Sequence, residues 1–598
     1  MSEIGARREH SIVLPLPHSV MDYNISTSGK RVLDEVSPEL LMKHVHEISR
    51  YIRISGSKEE ELSLKYVKRI LKRYRLKVRE YSCPAYIGYP QHALLEIQSP
   101  DSRIISGVSA ALAPSTPRKG VISEIVYVGR PSDISISPYR CGDRLVLIEG
   151  LASPKVAKQC ENSGATGEIF INDEYVHEGI VSVVWGTPRP ENALLLPSKP
   201  CISINRADGL RLRRLLESGT VRAKLSTRTR RAWRKIPILV ADLPGKYEKG
   251  RFAMLSGHID SWHFGAMDNA GANAAMLEVS RILSRNRRQL RRGLRVAFWS
   301  GHSHGRYAGS TWYADNFWIE LERSCVVHVN VDSIGSIGAT SVREAPVMPE
   351  AQDLASSITE HVSGQKLLGS RFSRAGDQSF WGIGIPSIFM ELSEIPLTRV
   401  KNQIRAVRLN EPSSSGVGWW WHTKHDTIDK IDPENLTRDT KIYVMLMNEI
   451  CSRHILPFDY QKTAEEARRN LLELQRSGRG SFDLKPLIEQ SNRLIRALSR
   501  FNHQIESSGA QDNERINKTI MRLGRCLIPA LYTDVGRFDH DLAVPIPPFP
   551  RLQAIRKLAT LRKGSEAFML LSNGLRRDFN FVAAALSDAT DLVNEFLQ

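Results

Sequence analysis

From residue 236 the chain alternates apolar, strand-length runs with helical stretches, and few architectures accept that pattern. FAMLSGHID (252–260), RVAFWSG (295–301), VVHVNVDS (326–333) and GIPSIFMEL (384–392) read as strands. NAGANAAMLEVSRIL (269–283) reads as a helix between the first two. Strands that are apolar on both sides must be covered on both sides. The expected fold class is therefore α/β, a mostly parallel sheet sandwiched by helices.

The flanking segments suggest further units. SPELLMKHVHEI (37–48) begins with Ser-Pro and spaces its apolar residues along one helical face. Ser57 followed by Glu60 reads as a capping box opening a helix over 57–74. From about 100 to 230 short apolar strands mix with Gly, Pro and Asn, as in CGDRLVLIEG (141–150) and EIFIN (168–172). This stretch reads as a β-rich insert. After about 455 the apolar spacing is helical throughout. The expected organisation is an N-terminal part of the main domain (1–100), an insert (101–230), the main domain (231–455) and a helical domain (456–598).

With 83 Lys and Arg against 65 Asp and Glu, the formal charge is +18. No nucleic-acid module accompanies the basic runs RTRRAWRK (228–235) and RNRRQLRRGLR (285–295), so the excess reads as a solvated basic surface with room for anionic ligands. Seven scattered cysteines without a CxxC fit free thiols in a reducing cytoplasm. The N-terminus lacks a signal-like apolar stretch and no apolar run is long enough to span a bilayer, so a soluble cytoplasmic protein without a membrane partner is expected.

Open parallel sheets gather ligands beyond the carboxyl ends of their strands. His258 and Asp260 follow FAMLSG, His302 and His304 follow RVAFWS, and Asp332 ends VVHVNV. Asp268 precedes the helix at Asn269, and His422 lies in WWWHTKHDTIDKID. These nitrogen and oxygen donors suit zinc. Asp260, two residues beyond His258, is placed to orient that imidazole through its second nitrogen. Each element alone is a weak signal; their joint occurrence at successive strand ends is what counts.

With GHIDSWHFGAMDNAGANAAMLEVSRIL, NVDS, SRAGDQSFWGIGIPSIFM and HTKHDTIDKID, the chain resembles the glutamate carboxypeptidase II and transferrin receptor family of co-catalytic zinc aminopeptidases. CGDRLVLIEGLASPKVAKQCENSGATGEIFIN resembles that family's inserted protease-associated domain, and ILPFDYQKTAEEARRNL onward its helical dimerisation domain. The resemblance implies two zinc ions per chain, a peptide substrate and a homodimer. It places His258, Asp332 and His422 as metal ligands, Asp268 as the bridge, and Asp377 and Trp421 in the substrate pocket. Two close divalent ions need a shared carboxylate to offset their repulsion, and together they suit peptide hydrolysis.

The chain departs from the family at its Glu-Glu pair of general base and metal ligand. Anchored on Gly309-Ser310 the pair falls on Ser303 and His304; anchored on Gly305 it falls on His302 and Ser303. Imidazole ligates zinc well and a hydroxyl poorly, so His304 is the expected ligand and His302 the alternative. A neutral imidazole in place of a carboxylate raises the charge of the metal site, which lowers the pKa of a metal-bound water. Imidazole exchanges protons near neutral pH, so His302 then serves as proton shuttle. Trp421 stands where relatives often have Tyr. The expected function is a zinc exopeptidase of the aminopeptidase type with an atypical His-Ser-His. The alternative is a non-catalytic scaffold of the transferrin receptor kind.

Overall fold

A computed structural model describes residues 25–131, 138–397, 406–407, 415–507 and 509–598. The first 24 residues and most of 401–418 lie outside them. After a short helical segment at Thr27–Arg31 and Val32–Glu35 come two longer helices, α1 (Pro38–Ile48) and α2 (Lys58–Arg73). Ser37 caps α1 by accepting from the Leu40 N–H, and Ser57 caps α2 by accepting from the Glu60 N–H. The Glu60 carboxylate reaches back to the Gly56 N–H at 2.6 Å, one residue ahead of the expected capping-box partner.

Strands β1 (Lys77–Ser99) and β2 (Arg103–Gly107) pair antiparallel. They lead into β3 (Val121–Gly129), β4 (Leu145–Glu149), α3 (Pro154–Asn162), β5 (Gly167–Ile171), β6 (Cys201–Ile204), α4 (Arg206–Ser218) and β7 (Arg222–Leu243). β3, β4, β5 and β6 run parallel, with a buried apolar cluster on each face. β1 pairs with β7 along nearly its whole length, a twin-stranded band that belongs to the insert at one end and to the main sheet at the other. The boundary expected at 230/231 therefore falls inside β7.

The main layer adds β8 (Phe252–His258), α5 (Ala272–Arg285), β9 (Gly293–Trp299), α6 (Ala308–Asn316), β10 (Cys325–Asn330), α7 (Gln352–Ser363) and β11 (Ser387–Ile388). The sheet order is β11-β10-β8-β9-β7 and onward through β3 to β6; β8 runs parallel to both β9 and β10. Every residue of β8, β9 and β10 is buried, as their largely apolar sequence requires. The strand expected over 384–392 shrinks to two residues, because Phe389 turns left-handed at φ 59° and leaves the ladder. Helix α8 (Pro433–Ser452) covers the sheet beside α5. The C-terminal part packs α9 (Tyr460–Ser477), α10 (Lys485–Ser507), α11 (Asn513–Tyr532) and α12 (Glu566–Leu597). The C-terminal tail is the single 32-residue helix α12. None of the seven cysteines forms a disulfide, and six of them are buried. No helix among the described residues is long and apolar enough to cross a membrane.

Candidate metal centre

Adjacent parallel strands deliver their carboxyl ends to one place. His258 is the last residue of β8, Asp332 lies two residues past β10, and His302 three past β9. Asp268 sits in the turn Ala266–Gly271 that leads into α5. That turn is pinned from several sides. The Asp426 carboxylate accepts the N–H groups of Met267 and Asp268 at 2.8 and 3.0 Å. Asn269 donates to the Val331 carbonyl and accepts the Ser333 N–H. Asn273 donates to the His258 carbonyl at 2.8 Å.

Beneath the turn lies Arg53, fully buried, which the sequence did not single out. Its guanidinium donates to the carbonyls of Ile48, Tyr51, Ile259, Phe264 and Gly265 at 2.6–3.1 Å. Burial lowers its pKa to about 10, which leaves it cationic at neutral pH below Asp426, Asp268, Asp260 and Glu60.

His258 Nε2 lies 3.0 Å from Asp268 Oδ1 and 3.3 Å from Asp332 Oδ1. It is buried and aligned for a hydrogen bond with neither. Its Nδ1 donates to the Asp260 carbonyl at 2.8 Å, since a carbonyl can only accept. His422 is arranged the same way. Its Nδ1 donates to the Glu178 carbonyl at 2.9 Å, and its Nε2 lies 3.0 Å from Asp268 Oδ2. One carboxylate thus stands between two imidazoles, one oxygen to each, and both rings are fixed from behind. Burial works to lower the His258 pKa, but Asp332, Asp260 and Asp268 outweigh it and raise the pKa well above the ordinary value. Burial works to raise Asp268, and His258 and His422 pull it well below the usual carboxylate range. The cleft favours positive charge and offers imidazole nitrogens and carboxylate oxygens, a donor set that fits zinc.

At the Glu-Glu position His302 comes to the cluster and His304 does not. The His302 ring stacks on His258 at 3.7 Å, and donor atoms of His258, His302 and Asp332 lie within 4.8 Å of one another. His304 turns away. Its Nδ1 contacts the Ser55 hydroxyl at 2.9 Å and its ring packs on Trp262 at 4.4 Å. Burial lowers its pKa to about 4. The Gly88 N–H donates to the His304 main-chain carbonyl at 2.9 Å.

That burial has a pH signature. A histidine held below its ordinary value of 6.5 contributes stability above that value and loses it as pH falls through about 4. His304→Gln is expected to flatten the loss of stability between pH 6.5 and 4, read by urea unfolding across that range.

Asp260 orients the site differently from the expectation. Its main-chain carbonyl, not its carboxylate, takes the His258 Nδ1–H; the nearer carboxylate oxygen is 3.6 Å away. The carboxylate accepts from the Ser55 hydroxyl at 2.5 Å and from the N–H groups of Ser303 and His302 at 2.9 and 3.4 Å. It thereby holds the 302–303 turn. The Ser303 side chain is buried without a hydrogen-bond partner among the described residues. Asp377 backs His302, its Oδ2 2.9 Å from Nδ1, and does not line the cavity wall. Trp421 stacks on His422 at 3.4 Å and lines the cavity.

The cavity over the centre measures about 530 Å³ and is closed on one side by the insert. Three of its residues escaped the sequence reading. Glu391, paired with Asp332 through the backbone, is held well above the usual carboxylate range, by burial first and then by the charges of Glu394 and Asp332. Glu178, from the insert, is pushed up to about 7 by burial. Arg306 adopts a left-handed φ of 49° and its Nε has no hydrogen-bond partner among the described residues. Arg306 and Glu391 adjoin quoted runs that do not mark them, and Glu178 lies in the insert; only folding brings the three together here.

A parallel-rich sheet with imidazoles and carboxylates at its carboxyl edge is the architecture of the zinc-aminopeptidase class. The profile of peptidase family M28 matches residues 239–447, and the chain carries an M28 peptidase domain there. Mouse aminopeptidase NAALADL1 is 23% identical over 417 residues, covering 61% of this chain and 53% of that protein. The probable glutamate carboxypeptidase VP8 of maize is 25% identical over 254 residues, 41% of this chain and 34% of that one. The chain spans about half the length of the curated relatives it matches first. Among solved structures, an M28 peptidase precursor from Shewanella amazonensis aligns with TM-score 0.57 and 17% identity, covering 72% of this chain and 97% of that one. A zinc aminopeptidase from Bacillus subtilis aligns with TM-score 0.51 and 19% identity, covering 70% and 96%.

Proposed function

We propose that the chain is a zinc-dependent exopeptidase that hydrolyses a peptide bond at a chain terminus. The observation that carries this is the convergence of His258 and His422 on the two oxygens of Asp268, with Asp332 3.3 Å from His258. His258, Asp268, Asp332 and His422 would hold two zinc ions, which supply Lewis acidity and an activated water. His302, held at Nδ1 by Asp377, takes the place of the missing general-base Glu and carries the proton from the attacking water toward the leaving amine. Asp260 keeps the turn that presents it. The insert closes the cavity through Glu178 and limits the depth of substrate that enters. Arg306, with its unpartnered nitrogen on the same cavity, supports recognition of a substrate carboxylate. Unpaired thiols support a reducing compartment, and the C-terminal helices support a homodimer interface; light scattering on the purified protein checks the latter.

A second reading is a scaffold on the same fold, favoured by the absence of carboxylates at positions 302–304. The deciding experiment assays zinc-loaded protein against dipeptides and aminoacyl amides. Turnover of either class supports the exopeptidase, and bound zinc without turnover of any substrate supports the scaffold. His302→Ala is expected to keep its zinc and lose about 10²–10⁴ in turnover, the usual worth of a positioned acid–base group. Unchanged turnover would remove His302 from the mechanism.

A further inference from the structure

We propose that the far end of α5 carries a binding site for a small, multiply phosphorylated anion. Helix α5 begins four residues after Asp268 and runs 14 residues away from the metal centre, so its C-terminal end lies about 20 Å from it. There it meets the C-terminal end of α2 around a separate cavity of about 530 Å³. Arg73, Arg75, Arg281, Arg285, Arg287 and Arg288 all line it.

The charge in this groove exceeds what local structure explains. Basic residues in the last turn of a helix are ordinary, because they complement the helix dipole; that accounts for Arg73 and Arg285. It leaves Arg75, past the end of α2, and Arg287 and Arg288, in the short 3-10 turn Arg287–Gln289 that follows α5. Arg281 is committed to Glu278 through two short contacts, and Arg285 stands 3.7 Å from Glu35. Arg73, Arg75, Arg287 and Arg288 have no ion-pair partner among the described residues. Arg73, Arg75, Arg287 and Arg288 are exposed, and a groove lined by one sign of charge raises the local concentration of counter-ions.

Arg75 gives the second observation. It follows α2 in the left-handed region at φ 65°, the position where a helix ordinarily ends in glycine. The motif is complete: the Arg75 N–H donates to the Lys72 carbonyl and the Leu76 N–H to the Leu71 carbonyl. An arginine at this place is held against its backbone preference, with its side chain on the groove. Guanidinium forks match phosphate oxygens two at a time, and several around a concave site suit a ligand with more than one phosphate. The open groove admits a compact polyphosphate or a phosphorylated lipid headgroup.

Titration calorimetry of the intact protein with tripolyphosphate at low salt tests this. One saturable site per chain is expected, weakened by added salt. Arg288→Ala and Arg75→Gly should each weaken it by about tenfold, the worth of one charged hydrogen-bonding partner. Arg75→Gly should also keep or raise the melting temperature, since glycine relieves the left-handed backbone, so its loss of binding is not a loss of fold. Sedimentation with phosphatidylcholine vesicles carrying phosphatidylinositol bisphosphate, competed by tripolyphosphate, would identify a headgroup as the source; tripolyphosphate binding without sedimentation would identify a free phosphate. Absence of saturable binding, or equal affinity in both variants and the parent, would overturn the proposal.

Discussion

Asp268→Asn is expected to abolish zinc retention and peptide hydrolysis together while leaving the fold cooperative. The substitution keeps the side chain's shape and removes the one negative charge that faces both His258 and His422. Loss of a partner that merely orients a ligand costs about 10–100-fold in metal affinity. A carboxylate placed to serve two ions should cost more than that. The fold should survive because the turn holding Asp268 is fixed by main-chain bonds to Asp426 and by Asn269, none of which the substitution touches. Zinc competition against a colorimetric chelator gives the affinity, and urea unfolding gives the fold. A variant that binds zinc as the parent does would remove Asp268 from the centre.

Arg53→Met should destabilise the protein by about 3–5 kcal/mol, the scale for breaking a buried charge network from one side. Five carbonyls lose their donor at once, and three of them, Ile259, Phe264 and Gly265, belong to the loop between His258 and Asp268. Arg53→Lys should recover little, because an ammonium offers three donors from one point and the guanidinium offers a spread fork. The expected readout is a lower urea midpoint in both variants and a zinc affinity that falls with it. A change within about 0.5 kcal/mol, the range of neutral surface substitutions, would show that the network is dispensable.

The sheet was legible because β8, β9 and β10 are largely apolar on both faces, and such runs suit a covered parallel sheet. The residues at their ends were legible for the same reason. What the sequence could not show was direction. His302 and His304 are two positions apart and chemically identical, yet the loop turns one toward His258 and the other into Ser55, Trp262 and Tyr89. Asp260 was correctly placed beside His258, but whether its carbonyl or its carboxylate takes the proton depends on a backbone angle. Arg53, Glu178 and Glu391 carried no local signal. They matter because distant segments, one of them the insert, close over the same cleft. The strand at 384–392 was overread because apolar composition does not reveal a left-handed Phe389.

Anomalous diffraction at the zinc edge, on crystals of the intact protein equilibrated with zinc, addresses the central claim directly. The account predicts about two zinc peaks per chain in the cleft, sharing Asp268, with His258 and Asp332 on one and His422 on the other. A cleft without a peak in zinc-equilibrated crystals, with those four side chains hydrogen-bonded only to protein, would contradict it.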